Sequence, residues 1–149
     1  GMKDANSSEV NSKTPYPVIH IMEHQKEYLE KQQYGGTIRL GAWPAKIKKG
    51  TKIYEMYRKH DDAKSLFHLP VVQERHRHRY EFNNEYRSQF EEKGMIIAAT
   101  SPDEMLVEAI ELKDHPFYIG TQYHPELKSR PLAPHPLFVE FLRACLVLH

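Results

Sequence analysis

The stretch Gln122-Tyr123-His124-Pro125-Glu126 begins at the end of an apolar segment, 117–123, that the sequence predicts to be a β-strand. Alternate side chains of an extended chain lie on one face, about 6–7 Å apart, which is near enough for Glu126 to orient the imidazole of His124. Pro125 fixes its own φ at about −65° and favours extended geometry at the preceding residue. A base held by a carboxylate is the arrangement that activates a nucleophile. A His-x-Glu pair also occurs by chance in many proteins, but its position after an apolar strand favours the interpretation of His124 and Glu126 as catalytic.

The nucleophile that such a base would activate is a cysteine thiol, and the chain has one cysteine, Cys145. It lies in the apolar run Phe141-Leu142-Arg143-Ala144-Cys145-Leu146-Val147, which predicts a buried, unreactive thiol rather than an exposed one beside a cation. A single cysteine also excludes an intrachain disulfide and fits a reducing compartment. The sequence therefore carries part of a catalytic arrangement without an evident nucleophile.

Length and composition favour one globular domain, which we predict to span residues 1–149. Hydrophobic residues make up 40% of the chain and charged residues 28%, a balance typical of folded rather than disordered proteins. The net charge of +1 gives no overall field that would attract nucleic acid or an anionic membrane. No apolar run reaches the roughly 18–20 residues of a membrane span, and no signal-peptide pattern is present. We expect a cytoplasmic protein.

Predicted helices and strands interleave along the chain, which favours an α/β domain. The predicted helices cover 18–30, 51–59, 84–93 and 136–148, and the predicted strands cover 37–47, 73–82, 95–100, 105–112 and 117–123. Gly94 is predicted to end the third helix, and Pro136 to begin the last one.

The run Glu74-Arg75-His76-Arg77-His78-Arg79-Tyr80-Glu81 leaves three interpretations open. Its three arginines share one predicted strand face and could contact nucleic-acid phosphates, although the flanking glutamates and the near-zero net charge count against this. His76 and His78 share the other face and could bind a metal ion, but no third ligand is evident. One buried arginine could hold a carboxylate through paired hydrogen bonds. The pattern alone does not rank this last interpretation above a solvated charged strand.

A set of longer segments occurs in a fixed order along the chain. These are MKDANSSE (2–9), GGTIRLG (35–41), ERHRHRYEFNNEY (74–86), ATSPDEMLVEAIEL (99–112), HPFYIGTQYHPELKSRP (115–131) and PHPLFVEFL (134–142). Together they resemble the glutaminase domain of the CTP synthases, which are class I (triad) glutamine amidotransferases. The His-Pro-Glu motif alone would fit all triad amidotransferases, whereas the HRHRYE segment and the KSRP…HPLF tail resemble the CTP synthases specifically.

The resemblance implies a role for each matching residue. His124 matches the general base that deprotonates the cysteine and later protonates the leaving ammonia, and Glu126 matches the carboxylate that orients it. Arg79 matches the residue that binds the α-carboxylate of glutamine, with Tyr80 beside it, and Glu9 matches an acidic residue near the α-amino group. The implied fold is a partial flavodoxin-like α/β domain, because the family's first strands and its Gly-x-Cys-x-Gly nucleophile elbow have no match in these 149 residues.

The resemblance also implies partners outside the chain. In the family, ammonia passes to a separate synthetase domain that uses ATP and Mg to aminate UTP, and GTP is an effector. We expect no cofactor or metal in this chain, and glutamine, the remaining amidotransferase half, the synthetase domain and further copies of the chain as partners. The segment 24–33 matches the lid tied to GTP activation but lacks arginine, so no effector residue is assigned there.

Two functional hypotheses follow from the resemblance. The first is a glutaminase portion of a CTP synthase whose isolated chain is inactive because it lacks the nucleophile. The alternative is a non-catalytic truncated paralogue that binds glutamine or docks on an intact synthase.

Overall fold

A computed structural model describes residues 1–21, 39–60 and 71–147. The strands in these ranges are β1 (Asn6–Ser7), β2 (Pro17–His20), β3 (Arg39–Ile47), β4 (Val71–His78), β5 (Glu81–Phe82), β6 (Met95–Thr100), β7 (Val107–Leu112) and β8 (Ile119–Thr121). The helices are α1 (Lys52–His60), α2 (Arg87–Glu92) and α3 (Pro136–Val147), with short 3₁₀ turns at Asn84–Tyr86 and Pro125–Leu127. The interleaved elements confirm the predicted α/β class.

The described strands form two sheets. The larger one has the order β4-β3-β6-β7-β8, and every pairing in it is antiparallel. The smaller one has the order β1-β2-β5, with β1 parallel to β2 and β2 antiparallel to β5. Among the described strands, the pair β1–β2 is thus the one parallel pairing.

The predicted strand 73–82 is in fact divided between the two sheets. β4 pairs with β3 of the larger sheet and ends at His78, whereas β5 pairs with β2 of the smaller sheet. Arg79 and Tyr80 lie in the bend between them. The prediction that Arg79 shares one strand face with Arg75 and Arg77 is therefore wrong, because the chain changes sheets at this point.

The predicted helix at 18–30 is wrong at its start, since Pro17–His20 is β2 and pairs with β5. Residues 22–30 of this prediction and the lid segment 24–33 lie outside the described residues. The strand predictions at 95–100 and 105–112 are confirmed as β6 and as the slightly shorter β7. Gly94 follows α2 with φ +88, a conformation that glycine adopts without strain, and so confirms the predicted helix end.

β7 is covered on both faces, and the side chains of its two glutamates are buried rather than exposed to solvent. Glu108 and Glu111 are 0% and 2% exposed. The carboxylate of Glu111 accepts hydrogen bonds from the backbone amides of Lys52 at 3.0 Å and Ile53 at 3.1 Å, at the start of α1. A negative charge is favourable at a helix N-terminus, so Glu111 anchors α1 to the sheet.

The main hydrophobic core lies between the sheet and helices α1 and α3. α1 contributes Ile53, Met56 and Tyr57, and burial of each such side chain is worth about 1.5–3 kcal/mol. α3 buries only Leu137 and Glu140. Cys145 lies five residues beyond Glu140, roughly 140° further around the helix, and is exposed. The prediction of a buried thiol is therefore wrong, because only one side of this apolar helix packs against the core.

Candidate active site

The structure brings His124 and Glu126 into direct contact. Nδ1 of His124 lies 2.7 Å from Oε1 of Glu126. His124 has extended geometry, with φ −108 and ψ 90, and Pro125 begins the 3₁₀ turn that folds Glu126 back towards it. The backbone amide of His124 donates to the carbonyl oxygen of Arg75 at 2.8 Å, which ties the turn to β4. The predicted contact is present, and the catalytic role of the two residues stays a prediction.

The electrostatics suit a base whose reactive nitrogen faces outward. Partial burial opposes ionisation of Glu126, but its hydrogen bond with His124 and the nearby charge of Arg77 outweigh this and lower its pKa. An ionised Glu126 accepts a hydrogen bond from the Nδ1–H group, which leaves Nε2 of His124 as the acceptor. The His124 side chain is 33% exposed, and Nε2 makes no hydrogen bond with any described residue. This nitrogen is free to receive a proton from a substrate or a nucleophile.

Buried His76 and partly buried His78 lie behind the base. The ring of His78 stacks on that of His124, with centroids 6.5 Å apart and an angle of 30° between the planes. His78 Nε2 lies 2.8 Å from Nδ1 of His76. Burial and the charge of Arg39 lower the pKa of His76 to about 3 and that of His78 to about 4. Both rings are therefore neutral at pH 7 and place no charge beside the base.

The bend that carries Arg79 and Tyr80 lies against His78 and Gln122. The carbonyl oxygen of Tyr80 accepts from Nε2 of Gln122 at 2.8 Å and faces Nδ1 of His78 at 3.0 Å. Gln122 stands two residues before His124, so one amide side chain links the bend to the base. Sequence reasoning did not single out Gln122, although its spacing from His124 would place both on one face of an extended chain.

Glu9 makes no described contact with the group formed by His124, His78, Gln122 and the bend at 79–80. It is exposed and follows β1, which lies two strands away from β5 in the smaller sheet. Its carboxylate makes no hydrogen bond or ion pair with the described part of the chain, and its backbone amide donates to Ser7 Oγ at 3.2 Å. The substrate-binding role of Glu9 stays a prediction.

The buried arginine is Arg39 rather than a residue of the charged run. Arg39 is 6% exposed and contacts Glu108 at 2.5 Å and Glu81 at 3.4 Å, whereas Arg79 is half-buried. Burial raises the pKa of Glu81 to about 7 and also raises that of Glu108, against the opposing charge of Arg39. For the cluster of Arg39, Glu81 and Glu108, the only signal in the sequence was the presence of glutamates in a predicted apolar strand.

The other two interpretations of the charged run find less support. Only Arg75 and Arg77 share the exposed face of β4, since Arg79 has left the strand. Within 1–21, 39–60 and 71–147, no three His, Cys, Asp or Glu side chains are grouped so as to hold a metal ion. His76 and His78 instead contact each other and the buried acids.

Comparisons with known proteins agree with the resemblance. The sequence profile of the family described as Glutamine amidotransferase class-I matches residues 29–144. CTP synthases from Caldanaerobacter subterraneus and Aquifex aeolicus are 55% and 52% identical to this chain over 99% and 98% of its length. The solved structure described as Trypanosoma brucei CTPS, glutaminase domain with bound acivicin, has a TM-score of 0.79 and 32% identity, and covers 97% of this chain. The chain belongs to the class I glutamine amidotransferases.

This amidotransferase chain spans 25% of the length of the two CTP synthases and 51% of the trypanosomal glutaminase chain. It thus corresponds to a portion of the glutaminase domain of its relatives. Among the described residues, no helix is long and apolar enough to cross a membrane.

A buried network joins the charged run to the KSRP…HPLF tail in this amidotransferase. Glu74, which is fully buried, lies 2.9 Å from Nζ of Lys128, 3.3 Å from Nε2 of His135 and 3.0 Å from the hydroxyl of Tyr57. Burial opposes ionisation of Glu74, but the hydrogen bonds with His135 and Lys128 lower its pKa overall. Lys128 also donates to the carbonyl oxygen of Gln73 at 2.6 Å. The network fixes the turn of the His124–Glu126 pair against β4.

Proposed function

We propose that this chain is part of the glutaminase of a CTP synthase and supplies its general base. The observation that carries the proposal is the 2.7 Å contact of His124 with Glu126, with the second imidazole nitrogen left accessible. Similarity to CTP synthases over nearly the whole chain supports the assignment.

The proposed reaction is the hydrolysis of glutamine to glutamate and ammonia. Nε2 of His124 takes the proton of a cysteine thiol, and the thiolate attacks the side-chain amide carbon of glutamine. The imidazolium then protonates the leaving ammonia, which leaves a thioester on the cysteine. His124 next deprotonates a water molecule, and the resulting hydroxide releases glutamate and restores the thiol. Glu126 stabilises the imidazolium at each stage.

Substrate recognition is proposed to rest on complementary charges. The guanidinium of Arg79 would bind the α-carboxylate of glutamine, with Tyr80 beside it. Glu9 would bind the α-amino group. The amination of UTP with ATP and Mg, and control by GTP, would belong to the synthetase part of the whole protein.

The thiol in this proposal is not that of Cys145. Cys145 lies exposed on α3, outside the group formed by His124, Gln122 and the Arg79–Tyr80 bend. The nucleophile would come from protein outside these 149 residues. We therefore expect the isolated chain to leave glutamine unchanged.

The test is a chimera in which this chain replaces the matching quarter of the Caldanaerobacter CTP synthase. We expect the chimera to release ammonia from glutamine and the isolated chain to release none, because only the chimera combines the base with a nucleophile elbow. A folded chimera without glutaminase activity would contradict the proposed function. Turnover by the isolated chain would contradict the assignment of the nucleophile to another part of the protein.

The alternative is a non-catalytic module that binds glutamine or docks on an intact synthase. The exposed position of the chain's only cysteine is the observation that favours it. Calorimetric titration of the isolated chain with glutamine distinguishes a sensor, which would bind, from a fragment that needs its other half. An active chimera would set the docking alternative aside.

A further inference from the structure

A buried cluster beneath the candidate site contains more negative than positive groups. The guanidinium of Arg39 faces both Glu81, at 3.4 Å, and Glu108, at 2.5 Å, and all three residues are buried. One positive charge balances only one of two buried carboxylates, and an unbalanced buried charge is costly. The raised pKa values of both carboxyl groups agree with this count. The cluster is therefore suited to hold one proton.

His76 offers the place for that proton. Nε2 of His76 and Oε2 of Glu108 are 3.5 Å apart, and neither atom has a hydrogen-bond partner in the described part of the chain. Two facing lone pairs would repel each other, so a proton between them is what makes the approach favourable. Burial and Arg39 lower the pKa of His76 to about 3, so the ring itself does not take up an additional proton at neutral pH. When Glu108 holds the proton of the cluster, it therefore donates it to Nε2 of His76.

This donation fixes the direction of the next two hydrogen bonds. A neutral imidazole has one donor and one acceptor nitrogen. When His76 accepts at Nε2, its Nδ1 donates to Nε2 of His78 at 2.8 Å. Nδ1 of His78 then donates to the carbonyl oxygen of Tyr80 at 3.0 Å. We call Glu108, His76 and His78 the relay, and in this state it ends on the bend of Arg79.

Loss of the proton reverses both tautomers. An ionised Glu108 accepts from Nε2 of His76, so His76 Nδ1 becomes an acceptor and His78 Nε2 a donor. Nδ1 of His78 then presents only a lone pair to the Tyr80 carbonyl, 3.0 Å away, which is repulsive. Gln122 Nε2, at 3.2 Å from His78 Nδ1, is the donor that can satisfy it. The carbonyl oxygen of Tyr80 therefore loses one of its two side-chain hydrogen bonds and keeps the one from Gln122.

We propose that one proton at the Glu108 end sets the hydrogen-bond direction of the relay and thereby holds or releases the bend that carries Arg79. The relay residues are positioning residues, since they act on the bend and, through the stacked ring of His78, on His124. The proposal rests on the proposed function for its catalytic meaning, because Arg79 is the predicted carboxylate-binding residue. The ionisable groups that face Glu108 are Arg39 from β3, His76 from β4, Glu81 from β5, Tyr123 after β8 and, further away, Asp103 before β7.

The tautomers of His76 and His78 report the direction of the relay. They are measured by ¹⁵N NMR of the 149-residue chain between about pH 8 and about pH 5, a range that includes the pKa of about 7 of Glu81, which shares Arg39 with Glu108. We expect both rings to carry their proton on Nε2 at the high end and on Nδ1 at the low end. Both rings should switch at one midpoint without becoming imidazolium, and the backbone amides of Arg79 and Tyr80 should shift at the same midpoint.

Two variants should move the relay in opposite directions. In Glu108→Gln, Arg39 keeps the amide oxygen on its own side, so the NH₂ group faces His76 and both rings stay protonated on Nδ1 at every pH. In Glu81→Gln, Glu108 is the one carboxylate that still shares the charge of Arg39. The midpoint of the tautomer switch therefore moves to lower pH. Glu104→Gln, an exposed glutamate paired with Lys46, is the matched control and should leave the midpoint unchanged.

Rings that keep one tautomer over this range in the folded chain, or that switch at different midpoints, would contradict the relay, and so would formation of an imidazolium. A variant that loses its dispersed amide signals has not folded, and the wild-type titration then decides the question. An inactive chimera would disprove the proposed function without changing these tautomers. The relay and the proposed function therefore fail separately.

Discussion

The guanidinium of Arg39 contacts both Glu81 and Glu108, and this sharing of one positive charge determines the net charge beneath the candidate base. The contact with Glu108 joins residues 69 positions apart in the chain. Because the two carboxyl groups share one cation, the folded chain binds a proton that the unfolded chain, with ordinary carboxyl pKa values of about 4.3, has already lost at neutral pH. Ionisation of Glu81 and Glu108 therefore makes the stability of the fold depend on pH.

The sign of this linkage gives a prediction for Glu81. A pKa raised from 4.5 to about 7 means that the folded state binds more protons between these values, so stability falls as pH rises through this window. We expect unfolding by urea to require up to about 3 kcal/mol less at about pH 8 than at about pH 5. Glu81→Gln should flatten this slope, and Glu104→Gln should not. A wild-type stability that rises over the same window would contradict the shared proton.

At the scale of elements, the contacts that hold helices to the sheet come from acids inside strands. Glu111 of β7 accepts two backbone amides at the start of α1, and Thr51 Oγ1 accepts a third, from Tyr54, at 3.1 Å. The helix in turn carries Ile53, Met56 and Tyr57 into the core. One carboxylate thus sets the position of a large part of the hydrophobic contact.

Glu111→Gln tests this anchor. The amide side chain keeps one acceptor oxygen but loses the charge and the second acceptor, so we expect a loss of about 1–2 kcal/mol in the free energy of unfolding. Urea denaturation followed by circular dichroism gives the value. Glu92→Gln, on the exposed end of α2, is the control and should change stability by less than about 0.5 kcal/mol. Equal effects of the two variants would contradict the anchoring role.

Elements with a strong local pattern were predictable from the sequence, and those decided by distant pairing were not. β6 and the end of α2 at Gly94 follow from an apolar run and from a residue that tolerates positive φ. β2 was mistaken for the start of a helix because four residues carry little periodicity, and pairing with β5 decides their conformation. The His124–Glu126 contact was predictable because it is local. The Arg39 cluster was not, because a strand glutamate acquires a buried partner only through tertiary structure.

At the scale of the whole molecule, the described surface has one extended apolar feature on α3. Phe141, Leu142, Leu146 and Val147 are 47%, 62%, 79% and 85% exposed on consecutive turns. Contiguous exposed apolar surface of this kind is typical of a face that contacts another protein. This agrees with the chain's similarity to about half of a solved glutaminase chain.

We expect the isolated chain to self-associate through this face. Leu142→Lys together with Leu146→Glu should shift the sedimentation profile towards monomer, because both side chains are exposed and replacement by charge disfavours their burial. Lys49→Glu, at an exposed position before α1, is the control and should leave the profile unchanged. A wild-type chain that sediments as a monomer at micromolar concentration would contradict the expectation.

The central claim is that His124 is the base of a glutaminase, and kcat for glutamine hydrolysis by the chimera tests it most directly. We compare His124→Asn with His115→Asn, which alters an exposed histidine whose ring contacts Tyr118 and the backbone amide of Phe117. We predict that His124→Asn lowers kcat by about 10²–10⁴-fold, the usual contribution of a general base, and that His115→Asn leaves it unchanged. Equal kcat values for the two variants would contradict the claim.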